Sequence, residues 1–328
     1  MDLKNTTKNQ HFISQVEQRL NTINPNSDDE NQKIYAFKLK KRESYLIELE
    51  SKKGFKINNS LTLNDLFSFD VLNNEIRSNF EKLFHQYEYN IRSNTKILLD
   101  KIPLNNSEIK DEILNLFISK FINFVRNPYS IKKVIDSFPS LKNCYPTNPI
   151  HFKNFELIIT GKKPQQKFLC ESLGISDKEY IEWLSIIFML LIRLEENKPN
   201  LLEQMIKNLY ENPDTYIMAI IHTYDEKTCL LSDRGFSTPI EEKDHMAFSF
   251  NLKSNAFITY IFSDINKLAS PNTPEALIKS FKSMPKSLHA SHFHNDFNAL
   301  EKYNRHVVYQ CFNTVFGSST DYHGIQIC

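Results

Sequence analysis

Hydrophobic positions along this chain recur at two different periods, and the places where the period changes outline its organisation. Ile34-Tyr35-Ala36-Phe37 and Tyr45-Leu46-Ile47-Glu48-Leu49 are short aromatic and β-branched runs either side of a charged turn at 40–44, which predicts a hairpin. Phe55-Lys56-Ile57 supplies a third short strand. The period then lengthens. Phe80, Leu83, Phe84, Tyr87 and Ile91 fall on one face of a helix expected to run from about 72 to 99. Ser107 and Glu108 open a second helix that continues through Phe121 and Val125 until Pro128 stops it. Shorter pieces follow between Pro139, Pro146, Pro149 and Pro164. Ser176 followed three residues later by Glu179 is a capping box ahead of an apolar helix over 180–195, and another helix is expected over 200–210.

Beyond residue 212 the short period returns. Runs at 216–221, 229–231, 247–250 and 257–261 read as strands, and a closing helix spans about 295–312. Residues 1–10 are polar and read as a loose N-terminus, and 21–31 as a loop. The pattern predicts a helix-rich α+β fold with a small N-terminal β hairpin region and a C-terminal antiparallel β region. We expect one composite domain over 1–328. Residues 11–100 hold the hairpin and long helix, 101–212 a helical middle, and 213–328 the second β region and closing helix.

Composition narrows the chemistry. Only 6 glycines occur, and neither GxGxxG nor GxxxxGK[ST] is present, so nucleotide binding by a Gly-rich loop is disfavoured. The net charge of +1, from 40 basic and 39 acidic residues, gives no bulk attraction for nucleic acid; such contact needs a local patch. Lys52, Lys53 and Lys56, or Lys38, Lys40, Lys41 and Arg42, supply one, although a solvated hairpin tip has the same composition. The cysteines are Cys144, Cys170, Cys229, Cys311 and Cys328, without a CxxC pair, which points to a reducing compartment. The apolar stretch at 181–194 is too short for a membrane span of roughly 20 residues. A soluble, cytoplasmic protein without a signal segment is expected.

Three clusters carry residue types suited to chemistry. His11 and Gln15, four apart, can share a helical face, one as base or metal ligand and the other as hydrogen-bond donor; a histidine plugging the start of a fold looks the same. Glu88, beside Phe84 and Tyr87 and downstream of Asp65 and Asp70, can be desolvated into the range for acid–base work, or be an ordinary helix carboxylate. Asp233, in Ser232-Asp233-Arg234-Gly235 after a strand, can bind a metal or orient a histidine, or serve a turn. His289, His292, His294 and Asp296 invite a metal reading too, equally open to a polar loop. No GxSxG elbow accompanies the Ser-His-Asp inventory, which disfavours a serine hydrolase.

In order along the chain, His11, Phe12, Ile13, Ser14, Gln15 and Arg19 are followed by Ile34-Tyr35-Ala36-Phe37, Asn64-Asp65-Leu66-Phe67, Asn79-Phe80-Glu81, Tyr87-Glu88, Leu231-Ser232-Asp233, Phe297-Asn298 and Arg305-His306-Val307-Val308-Tyr309. This series resembles domain-of-unknown-function family 4238, a mostly bacterial intracellular family. The chain departs from it in having Ser14 where many members have Pro, and Arg234 in the late loop. The resemblance implies a toxin or anti-phage defence setting by association and no particular reaction.

Three functions stay open. One is a metal-assisted phosphodiesterase or nuclease in which His11, Gln15, Glu88 and Asp233 converge on nucleic acid with a divalent metal. Another is an ADP-ribosyltransferase using NAD, with His11, Phe67 or Tyr87, and Glu88. The third is a non-catalytic sensor or binding protein, with a regulatory protein as partner. None involves a membrane.

Overall fold

The computed structural model describes residues 2–73, 75–104, 108–195, 198–239, 245–270, 272–286 and 288–328. The expected α+β class is observed, but the two β regions are not confined to their own ends of the chain. Strand Lys33–Lys41 pairs antiparallel with Leu46–Leu49, placing Phe37 opposite Leu49, and Phe55–Lys56 joins its beginning, as the alternation predicts. The far side of Lys33–Lys41 is taken by Thr314–Gly317, which also pairs with Leu231–Ser232, while Gln326–Ile327 runs parallel to Leu46–Leu49. N-terminal and C-terminal segments therefore form one sheet. Phe37 and Val315 from this sheet pack with Val307 and Val308 of the closing helix Phe297–Gln310, itself capped by Asp296.

The second sheet is antiparallel over His245–Lys253, Ala256–Asp264 and Thr215–Thr223. Its remaining edge, His289–His294, runs parallel to Thr215–Thr223, so the region expected to be antiparallel is mixed. The sequence at 289–294 reads as polar loop because the strand is exposed along its whole length and has no buried face to produce an apolar alternation.

The long helix spans Glu81–Lys101, starting later than the pattern at 72 suggests. Ser68–Val71 pairs antiparallel with Arg77–Asn79 instead, where Asp65 and Arg77 make a buried ion pair of 2.7 Å. The N-terminal residues expected to be loose are tied to this pair of strands. Lys4 bridges Ser78, Leu3 is buried, and Asn9–His11 pairs with Thr62–Asn64. Gln10 bonds the Thr7 carbonyl and Ser68 Oγ and accepts the Phe67 N–H. Polar residues can form such pairing as well as apolar ones, which is why hydropathy does not reveal it.

Helix Lys110–Arg126 buries Ile113, Leu116, Phe117, Ile122 and Val125; Ser107, expected to open it, lies outside the described residues. The box at Ser176 and Glu179 caps Asp177–Leu191 as read, and Asn200 with Glu203 caps Leu201–Glu211 in the same way. Lys120 and Asn123 are buried on the same helix as those apolar residues, and both bond Glu17 of the short helix Gln15–Arg19. Glu17 Oε1 lies 2.6 Å from Lys120 Nζ, and Asn123 Nδ2 donates to both carboxylate oxygens at 3.0 and 2.8 Å. Both members of the pair are 1% exposed, so removing either strands a charge without water. Glu17→Ala is expected to lower the unfolding free energy by about 3–5 kcal/mol, read as a lower urea midpoint at unchanged slope. Glu17→Gln, which keeps an acceptor for Asn123, should lose less.

Candidate functional site

The tie between Glu17 and Lys120 sets the position of His11 and Gln15. Ser14 caps the short helix, its Oγ accepting the Glu17 N–H at 3.1 Å. His11 precedes it and is buried. A carbonyl can only accept, so the contact of 3.1 Å between His11 Nδ1 and the Ser60 oxygen puts the ring hydrogen on Nδ1. Nε2 is then an acceptor, and Gln15 Nε2 sits 2.8 Å from it. Arg19 fixes the orientation of that amide, because Nη2 can only donate and lies 2.6 Å from Gln15 Oε1. Arg19 Nε in turn faces Asp29 at 3.4 Å. Burial, helped by the positive field of Arg126 and opposed by the bond to Ser60, lowers the His11 pKa from 6.5 to about 4, so the ring is neutral at pH 7.

The long helix forms the opposite wall. Glu81, His85, Glu88 and Arg92 follow at helical spacings of four, three and four and line one hollow of about 310 Å³ with His11, Gln15, Arg19 and Asp29. Glu88 bonds Arg126 Nη1 at 3.0 Å, and Arg126, only 1% exposed, lies with its Cζ 5.1 Å from the centre of the Phe84 ring. Glu81 shares that cation only at a distance, and its buried Oε1 has no hydrogen-bond partner. Desolvation is the largest influence on it; Arg126 opposes the shift and Glu88 adds to it, and the pKa rises from 4.5 to about 7. At the rim, Tyr89 and Arg92 are exposed, and among the described residues Arg92 makes no ion pair.

His11, Gln15 and Glu88 are thus brought together. Asp233 is not among the residues lining this hollow. Its Oδ1 accepts the Phe312 N–H at 2.8 Å, and its Oδ2 accepts those of Asn313 at 2.7 Å and Thr314 at 2.9 Å. Burial raises its pKa against these three bonds. The carboxylate starts the strand Thr314–Gly317, a structural duty. Its turn still meets the N-terminal segment, because a Cβ on Gly235 (φ +77) would stand 2.6 Å from Ile13 Cδ1. Asp65 and Asp70 are committed too, to Arg77 and to the Lys162 N–H. Phe67 packs on Phe84 and Trp183, and the Tyr87 hydroxyl bonds Glu203 and Asn200, so neither ring offers a face to a ligand beside His11. His292 and His294 both bond Thr223 Oγ1, and His294 pairs with Asp225. Among the described residues no three His, Cys, Asp or Glu side chains form a metal-binding group.

His85, Arg92 and Arg126 are the residues that the sequence reading did not single out, and Glu81 entered it only within the family-like segment Asn79-Phe80-Glu81 and not among the candidate site residues. Helical spacing from Glu88 finds Glu81, His85 and Arg92 on its face; nothing local marks Arg126, which reads as an ordinary helix-ending base.

The raised pKa of Glu81 has a signed consequence for stability. The folded chain holds this proton more tightly than the unfolded chain, so the group's contribution is present below about pH 4.5 and is lost as pH rises through about 7. His11 acts oppositely: its depressed pKa removes stability as pH falls from about 6.5 towards 4. Glu81→Gln is therefore expected to raise the thermal midpoint at pH 8.5, by up to about 3 kcal/mol of stability, and to leave it unchanged near pH 4.5. Parallel melts at the two pH values check this.

No family model, no curated protein and no solved structure matches the chain.

Proposed function

We infer that the chain is an enzyme acting on nucleic acid, a phosphodiesterase that works by acid–base chemistry with Glu81 as the group that moves the proton. One observation carries this reading: a carboxyl with an unbonded buried oxygen and a pKa near 7, in an open hollow that also holds His85, Arg92 and an exposed aromatic ring. A general base works best when its pKa is close to the working pH. Guanidinium groups neutralise charge gathering on a phosphoryl oxygen, and a solvent-facing ring such as Tyr89 suits stacking on a base.

RNA is the substrate this set serves most directly. Glu81 takes the proton of a 2′-hydroxyl, and the freed oxygen attacks phosphorus. The bond from phosphorus to the 5′-oxygen breaks, and His85, one turn along the helix, supplies the proton to that leaving oxygen. Arg92 faces the phosphate, and Arg126 beneath is bonded to Glu88. His11 and Gln15, bonded to each other and to Arg19, hold the opposite wall in one geometry.

Purified protein incubated with matched fluorogenic RNA and DNA oligonucleotides tests the reading. Cleavage of RNA alone, unaffected by EDTA, is expected, with a cyclic phosphate at the new 3′ end. Glu81→Gln should lose about 10²–10⁴-fold in rate, and the profile of wild type should rise through about pH 7. Cleavage that EDTA abolishes would favour the metal-assisted form of the enzyme, and label transfer from NAD the transferase. Full activity in Glu81→Gln would sink the assignment.

A second reading, a non-catalytic binding protein, is favoured by the satisfied state of His11, whose two ring nitrogens both have partners. It predicts that His11→Ala lowers stability while no oligonucleotide is cut by any variant.

A further inference from the structure

A second hollow, of about 360 Å³, opens between the Asp233 turn, the hairpin and the end of the closing helix, and three cations line it: Arg42, Lys133 and Arg234. Arg42 is held by carbonyls at and just beyond the end of that helix, those of Tyr309, Cys311 at 2.9 Å and Phe312 at 3.3 Å. The helix end offsets part of its charge. Arg234 Nη1 donates to the Tyr129 carbonyl at 3.2 Å, whereas its buried Nε has no partner. Lys133 is exposed and, among the described residues, unpaired.

Among the described residues, none that lines it is acidic. Asp233 is the neighbouring carboxylate, and its two oxygens are filled by the backbone N–H groups of Phe312, Asn313 and Thr314. Among the described residues, half-buried Arg234 therefore keeps a charge and a donor with no counter-ion bonded to it, with Asp233 acting on it only through space, an arrangement that an anion from solution would complete. The walls are already fixed for such a ligand. Thr238 and Gln310 are locked together by three hydrogen bonds, and Phe312 stacks on Tyr129 at 4.1 Å between ring centres. The volume exceeds that of a bare oxyanion and falls within the range of small-molecule sites. Two aromatic rings face solvent at its mouth, Tyr309 at 48% and Phe312 at 39% exposure.

We propose that this hollow binds a nucleotide, with Arg234, Arg42 and Lys133 on the phosphate and Tyr309 or Phe312 against the base. The site stands apart from the Glu81 hollow and does not depend on the phosphodiesterase reading. The same chemistry is offered by a free mononucleotide and by a nucleotide within a single strand.

Calorimetric titration of the full chain at low salt with AMP, inorganic phosphate, adenosine and a 2′-O-methyl tetrauridylate, which lacks the hydroxyl needed for cleavage, tests it. AMP should bind at least tenfold more tightly than adenosine, because adenosine lacks the phosphate, and more tightly than inorganic phosphate, which lacks the base. Arg234→Gln should weaken AMP by tenfold or more. Because Arg234 also supports the Tyr129 carbonyl, Lys133→Glu, at an exposed position, is the decisive variant and should weaken AMP about tenfold with an unchanged thermal midpoint. A tetrauridylate held more tightly than AMP assigns the site to a strand, and the reverse to a free nucleotide. Adenosine binding as well as AMP, Lys133→Glu binding like wild type, or no heat with AMP and tetrauridylate alike overturns the proposal.

Discussion

Glu17 and Lys120 meet where helix Lys110–Arg126 turns its apolar face to the protein interior, and the surroundings of each offer water no access. A charge in that position is tolerable only if its partner is present and the remaining lone pairs are bonded. Asn123 and Ser14 supply those bonds. The short helix Gln15–Arg19 can therefore dock in one place and one rotation, and His11 and Gln15 are carried with it. Asn21, at the end of the same segment, exchanges hydrogen bonds with Asn251 of the second sheet. Phe117, one turn before Lys120, packs on Tyr260 and Phe262 of that sheet. The ion pair thus sits at the junction of the N-terminal segment, the helical middle and the second sheet.

A single buried guanidinium beneath two carboxyls produces the electrostatics of the Glu81 hollow. Arg126 forms its bond with Glu88, whose side chain is partly exposed, and acts on Glu81 only through space. Glu81 then carries a desolvation cost, its buried Oε1 having no hydrogen bond among the described residues, and Glu88 adds repulsion. Of two chemically identical side chains on one helical face, one is bonded to the guanidinium and the other, Glu81, is left with a raised pKa, the condition that suits a group to acid–base work. The same guanidinium disfavours a proton on His11, so neutral imidazole and protonatable carboxyl coexist across the hollow near pH 7.

Much of the helical framework was legible because it rests on local rules. The apolar stripe of Glu81–Lys101, the box at Ser176 and Glu179 and the alternation at Lys33–Lys41 are each visible within a short window. The joining of Thr314–Gly317 to Lys33–Lys41 left no such trace, since pairing across most of the chain's length imposes no period on either segment. The pairing of Ser68–Val71 with Arg77–Asn79 was hidden for another reason: Arg77 and Asp65 are buried because they pair, and their types alone suggest exposure. Within the site, helical spacing places Glu81 and Glu88 on one face but cannot tell which of them bonds Arg126. That depends on a partner from another helix.

Residues that resemble a family motif in order along the chain need not share a reaction. His11 and Gln15 are bonded to each other, and Asp233 spends its carboxylate on three backbone N–H groups. The turn that carries Asp233 ends in Gly235, which packs so closely on Ile13 that no side chain fits between them. These positions act first as fasteners between distant segments. Spare capacity for chemistry lies instead where the fold leaves a group incompletely served: the Glu81 oxygen without a donor, the Arg234 nitrogen without an acceptor, and Arg92 facing solvent alone among the described residues. Asp233 links the two sets. By giving its charge to the start of a strand it leaves Arg234 without a bonded counter-ion, so the fastening that closes the first sheet also creates the cationic hollow beside it.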